Sequence, residues 1–497
     1  MKPFFYSSRR EFLRQSTTAA VGLSLMGPSS FAHSSPPDLA FLSLAEAATL
    51  VHRRKVSPVE LTQACLKQIE LLNPKLNAFI TIMDEQAMAQ AKQAEDEIRK
   101  GKYKGPLHGI PIGIKDNIDT AGIRTTVGSA VFKDRIPTED AEVIRRLKEA
   151  GAVLIGKTCM EEFAYGSTSL TGFTGPVHNP WNPDYIAGGS SGGSAAALAA
   201  GMCIAAIGTD TGGSVRIPAS ICNLTGLKPT YGLISVRGIF PLSYSFDHVG
   251  LICRTAQDAA LMLKVSVGFD PLDPASTEAN RVDYPAFLYQ KKSALRIGLL
   301  MDKTKTMDIV QQRITEAVSV YRGLGASIQT APVLPNTRNL SNLLFAESGA
   351  IFNTIVQEQS ALVHPKILPL IGRGKDITPV QLMQGYQELA LLRHSANSLF
   401  RNVDVLMLPT LLTLPLSIFE CADKSSAALS LEYLSPFNRL GLPAISIPCG
   451  FSPDGLPIGL QIVGPRFGEA IVLAVANQYQ QATIWHKQHP NGLLSLK

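Results

Sequence analysis

Residues 188–216 read Gly188-Gly189-Ser190-Ser191-Gly192-Gly193-Ser194-Ala195-Ala196-Ala197-Leu198-Ala199-Ala200-Gly201-Met202-Cys203-Ile204-Ala205-Ala206-Ile207-Gly208-Thr209-Asp210-Thr211-Gly212-Gly213-Ser214-Val215-Arg216. A glycine-serine knot opens the stretch and a second closes it. Between them the residues predict a short alanine-rich helix, Ser194 to Ala200, closed by Gly201 at a left-handed cap position. A buried strand, Cys203 to Ile207, follows. One helix and one strand can bring the two knots back together. Their glycines let backbone N–H groups turn inward and approach a ligand closely, as a hydroxyl nucleophile with an anion-holding nest requires. Both knots are bounded by apolar, structure-forming residues, so they do not read as flexible Gly-Ser linkers.

The segment before this stretch adds a cation. Leu107-His108-Gly109-Ile110-Pro111-Ile112-Gly113-Ile114 predicts a short apolar strand that ends in Lys115. An ammonium at the end of a buried strand is either a solvated strand-end charge or a partly desolvated amine whose pKa falls toward neutrality. Gly151–Thr158 matches the phosphate-loop pattern GxxxxGK[ST] letter for letter. Its variable positions are strand residues, however, and not a polar or Gly-rich loop, so it is not read as a phosphate cradle.

The chain has 497 residues, 45% of them hydrophobic and 17% charged, enough for one large core. Half of the net charge of +6 falls in the first 34 residues, where Lys2, Arg9, Arg10 and Arg14 face Glu11. The remainder gives no basic surface that asks for nucleic acid. The seven cysteines are scattered without a CxxC pair, and the nine histidines show no HExxH-like spacing, so neither a disulfide framework nor a metal site is expected. Ser8-Arg9-Arg10-Glu11-Phe12-Leu13, then an apolar run from Thr17 to Met26 and small residues near Ala32 and Ser34, look like a twin-arginine export signal over residues 1–34. The run is too short for a permanent anchor. The expectation is an exported, periplasmic protein with no stable membrane anchor.

Lys115, the first knot and the second knot together resemble the amidase signature family. Gly226-Leu227-Lys228-Pro229-Thr230-Tyr231-Gly232, Asp247-His248-Val249-Gly250, Gly441-Leu442-Pro443-Ala444-Ile445 and Gly455-Leu456-Pro457-Ile458-Gly459-Leu460-Gln461 are further segments of that kind. The resemblance implies Ser214 as nucleophile, Ser190 as proton bridge across a cis peptide bond and Lys115 as base. It also implies an oxyanion hole from the N–H groups of Thr211, Gly212, Gly213 and Ser214. Ser191, Thr209, Asp210 and Arg216 are expected to support the site through hydrogen bonds, and Tyr165 matches a position that lines the cavity in relatives.

Alternating strands and helices predict an α/β class: a single large domain over 35–497, with a mixed sheet flanked by helices on both faces. The catalytic core is expected over about 105–255 and a helical cap over about 340–400. The function expected is hydrolysis of a small carboxamide or anilide through a seryl acyl-enzyme, with no cofactor and no metal. A homodimer is left open. Two alternatives share part of the pattern. One is the glutaminase subunit of a tRNA-dependent amidotransferase. The other is an α/β-hydrolase-type esterase, because Gly188-Gly189-Ser190-Ser191-Gly192 satisfies GxSxG and His364, His394, His486 and His489 follow it.

Overall fold

A computed structural model describes residues 38–279, 282–290, 294–421 and 429–490. The chain divides after Asp38, and the segment read as an export signal, 1–34, lies outside the described residues. The unit Leu39–Lys497 is built on thirteen strands among the described residues: β1 (Phe79–Ile82), β2 (Pro111–Lys115), β3 (Val153–Thr158), β4 (His178–Asn179), β5 (Asn182–Ile186), β6 (Ala205–Thr209), β7 (Thr225–Lys228), β8 (Val249–Cys253), β9 (Arg296–Leu299), β10 (Ser327–Thr330), β11 (Val405–Pro409), β12 (Ala444–Phe451) and β13 (Pro457–Val463). Eleven form one sheet in the order β1-β3-β2-β6-β8-β7-β12-β13-β11-β9-β10, and β4 pairs with β5. The sheet is mixed: β2 runs parallel to β3 and to β6, whereas β6–β8 and β12–β13 are antiparallel.

The central strands β2, β3, β6, β8 and β13 are buried at every residue, the pattern of strands covered on both faces. Helices Gly192–Ala199 and Arg216–Ile221 pack together, and helices Ala256–Ser266, Asp308–Gly323 and Glu469–Ala482 form another packed group. Over 340–400 the chain is helical, with helices Ser341–Gln359, Leu368–Gly372 and Pro379–Ser395 joined by 3-10 turns. Among the described residues no helix is long and apolar enough to cross a membrane.

Several boundaries differ from the sequence expectation for identifiable reasons. The helix Pro58–Leu76 carries Pro74 inside it and stops at Asn77 in the left-handed conformation. Pro74 sits in the last turn, and the Asn73 side chain bonds both the N–H and the carbonyl of Phe79, fixing the turn into β1. The strand expected over Cys203 to Ile207 is Ala205–Thr209. Polar Thr209 belongs to it because its hydroxyl is buried against Lys115 and Asn117. β3 extends through Lys157, whose ammonium is buried and donates to the Ile118 carbonyl and to Thr125 Oγ1 at 2.6 Å each. The GxxxxGK[ST] match is therefore a strand.

The first knot is packed to backbone distance. A Cβ on Gly193 would collide with the Cys159 carbonyl oxygen and approach the Ala78 carbonyl oxygen at 2.6 Å, and backbone atoms cannot swing aside. Gly323, by contrast, ends its helix with open space around it. Gly193→Ala should destabilise the protein by about 1–3 kcal/mol, while Gly323→Ala should be neutral or stabilise it by up to about 1 kcal/mol. Denaturant midpoints measure both, and equal midpoints would contradict the packing argument.

Candidate active site

The parallel neighbours β2 and β6 end on the same side, with Ile114 opposite Ile207. Ligands in α/β sheets collect at such carboxyl ends. Lys115 closes β2 and Thr209 closes β6, and both are buried. The Lys115 ammonium donates to Ser190 Oγ at 2.7 Å and to Thr209 Oγ1 at 2.8 Å, with the Thr209 carbonyl at 3.5 Å. Asn117 Nδ2 donates to the same Thr209 hydroxyl at 3.1 Å. No carboxylate touches the amine among the described residues. Burial lowers its pKa to about 7, against the upward pull of the charges on Asp210, Asp247 and Glu161.

The two knots meet. The Gly189–Ser190 peptide is cis. Ser191 N–H donates to the Ser214 carbonyl at 3.2 Å, and the Ser191 hydroxyl exchanges hydrogen bonds with the backbone of Thr209. The Ser190 carbonyl is held from the other side by Glu161 N–H at 3.1 Å and by Ser169 Oγ at 3.3 Å. Glu161 is itself buried, and it accepts bonds from Thr168, Ser169 and Thr171. Lys115 and Ser190 are sealed off, whereas Ser214 keeps 8% of its surface exposed, toward a cavity.

Asp210 shapes the second knot. Its carboxylate accepts the N–H groups of Gly213 (2.7 Å) and Val215 (3.2 Å) and both sides of the Arg216 fork, at 3.0 Å each. Burial pushes the Asp210 carboxyl up, but the charge and hydrogen bonds of Arg216, with Lys228 and Asn438, together hold it well below the usual range. Arg216 also donates to the Leu434 carbonyl, Gln461 Oε1 and Asn438 Oδ1. Asn438 in turn donates to the Asp210 carbonyl. Gly213, at φ +131°, has Leu434 and Ile217 where a side chain would begin. This geometry corrects one expectation: the Gly213 N–H is committed to Asp210 and is not available to an oxyanion. The N–H groups of Thr211, Gly212 and Ser214 donate to nothing among the described residues. The Thr211 side chain is anchored by its hydroxyl on Asp247 at 2.6 Å, and burial raises the Asp247 carboxyl to about 6.

The cavity over Ser214 measures about 210 Å³. Tyr165 lines it, with its hydroxyl toward the Leu370 carbonyl at 3.5 Å, as do Leu344 and Phe345 from the helical 340–400 segment. Sequence reasoning placed Thr209 among the supports, yet it touches the amine directly. It gave no role to Glu161, Asp247, Asn438, Gln461 or Arg439. Asp247 and Gln461 stand inside segments that resemble the family, which was the available signal. Glu161, Asn438 and Arg439 carried none.

The elbow alternative finds no support here. Among the described residues no histidine nitrogen bonds Ser190 or Ser214, and the buried His248 directs Nδ1 to the Phe246 carbonyl. A lysine contacts Ser190 instead.

Residues 60–473 match the amidase family. A glutamyl-tRNA(Gln) amidotransferase subunit of Methylococcus capsulatus is 40% identical over 489 residues, covering 91% of this chain and 99% of that one. The solved structure of a 6-aminohexanoate cyclic dimer hydrolase with substrate superposes with TM-score 0.83 at 28% identity, covering 92% of this chain and 99% of that one. That of a bacterial aryl acylamidase of the amidase signature family superposes with TM-score 0.82 at 27% identity, with the same coverage. With its mixed sheet flanked by helices, this chain belongs to the amidase signature family, the enzymes that hydrolyse amide C–N bonds.

Proposed function

We propose that this protein hydrolyses a small carboxamide through an acyl-enzyme on Ser214, with Ser190 as proton bridge and Lys115 as base. The observation that carries the reading is the buried Lys115 amine, 2.7 Å from Ser190 Oγ, in surroundings that bring it near neutrality. A serine hydroxyl is a weak nucleophile until a base takes its proton. A neutral amine can do so, and the intervening hydroxyl both accepts and donates. The Ser214 oxygen attacks the amide carbon while its proton passes through Ser190 to Lys115. The carbonyl oxygen becomes an oxyanion facing the N–H groups of Thr211, Gly212 and Ser214. Collapse breaks the C–N bond, and the proton returns through Ser190 to the leaving nitrogen, which departs as ammonia or an amine. Water then attacks the ester by the same relay and frees the acid.

Asp210 and Arg216 hold the knot that presents Ser214, and Ser191 holds the knots together. The twin-arginine reading of residues 1–34 extends the proposal to an enzyme that works in the periplasm.

A second reading, the glutaminase subunit of a tRNA-dependent amidotransferase, is favoured by the name of the 40%-identical relative. Ammonia release from free glutamine, and its transfer to an aminoacyl-tRNA when partner proteins are supplied, would support it over the first.

Ser214→Ala should abolish labelling by a serine-reactive fluorophosphonate, read by intact-mass spectrometry. Lys115→Ala should lower kcat/KM at pH 7 by on the order of 100-fold or more. Activity needs the neutral amine, so kcat/KM of the wild type should rise as pH increases through about 7. A flat profile between pH 6 and 8 would remove Lys115 from the role of base.

A further inference from the structure

Among the described residues, the cavity over Ser214 carries charge of one sign. Its described lining includes two arginines, Arg373 and Arg439, and no aspartate or glutamate. The Arg439 guanidinium donates to the Thr337 carbonyl at 2.6 Å, Thr337 Oγ1 at 3.3 Å and Ser341 Oγ at 2.8 Å. All three acceptors are neutral, and Arg439 has no ion pair among the described residues. Burial lowers its pKa to about 10, with only the distant pull of Glu388 against it. Arg373 lies over the Phe345 ring, 5.1 Å from its centroid, and also has no acidic partner among the described residues. Two guanidiniums on a largely apolar wall, without a counter-charge among the described residues, suit a carboxylate. Arginine's planar fork matches that group bidentately.

We infer that the acyl half of the substrate ends in a carboxylate seated between Arg439 and Arg373, so that the preferred substrates are short monoamides of dicarboxylic acids. This rests on the acyl-enzyme reading and adds the substrate class to it. The same wall disfavours free glutamine, whose α-ammonium would face two cations and no acid.

Three five-carbon amides separate these features: glutaramate carries the carboxylate alone, pentanamide carries no charge, and L-glutamine carries carboxylate and ammonium. Full-length enzyme should turn over glutaramate with kcat/KM at least about 10-fold above the other two, the scale of one charge-assisted hydrogen bond. The glutaramate-to-pentanamide ratio should fall at least about threefold in Arg439→Gln and in Arg373→Gln. Arg373 is exposed, so its variant remains readable if loss of the Thr337 and Ser341 bonds unfolds the other. Calorimetry on Ser214→Ala enzyme should show that glutarate binds more tightly than pentanoate, and that adding Arg439→Gln or Arg373→Gln removes the difference.

Equal rates for glutaramate and pentanamide would overturn the subsite and leave the acyl-enzyme reading standing. So would glutamine matching glutaramate, or a ratio unmoved by either substitution. Arginine-dependent glutarate binding without hydrolysis of any of the three amides would uphold the subsite and count against the acyl-enzyme reading.

Discussion

The site depends on keeping water and direct counter-charge away from one amine. Lys115 ends a strand covered on both faces, and its nitrogen meets two hydroxyls and a carbonyl. An ammonium in such a place loses hydration that hydroxyls replace only in part, so deprotonation becomes accessible near neutral pH. The sheet makes this inexpensive to arrange. Two parallel strands ending together bring Lys115 and Thr209 side by side, and the turn after β6 begins at the next residue.

The nearby acids are kept occupied elsewhere. Asp210 is gripped by Arg216 and by two N–H groups of its own turn. Asp247 is bound by the Thr211 hydroxyl and by the N–H groups of Leu242 and Ser243. Glu161 is saturated by the 168–171 loop. Each carboxylate stabilises backbone around the reacting hydroxyls while leaving Lys115 without a direct ion pair. A carboxylate in contact with that amine would favour its charged form and remove the base proposed above.

The sheet and the meeting of the two knots were legible in the sequence. Each is written in a local pattern: apolar runs, and glycines flanking structured segments. Local pattern also misled where polar residues are buried for a partner distant in the chain. Thr209 read as turn and is strand, because its hydroxyl serves Lys115. The short strands β1, β7 and β8 went unassigned because only sheet neighbours from elsewhere in the chain complete them. The Gly213 N–H looked available until the Asp210 side chain was placed, since a carboxylate three residues upstream can point either way. Asn438 and Arg439 reach the site from more than 200 residues downstream, and a tertiary approach of that kind leaves no local trace.

That distance bears on when the enzyme comes into being. Arg216, which braces the turn that presents Ser214, is completed by Leu434, Asn438 and Gln461, up to 245 residues further along. A ribosome that has made the first 255 residues has already produced both serines and the lysine. The clamp that fixes their turn is still unwritten, and contacts of such long range form late. An unfinished chain therefore holds all three side chains of the proposed relay but not their scaffold, so a truncated product would be chemically silent rather than a stray hydrolase.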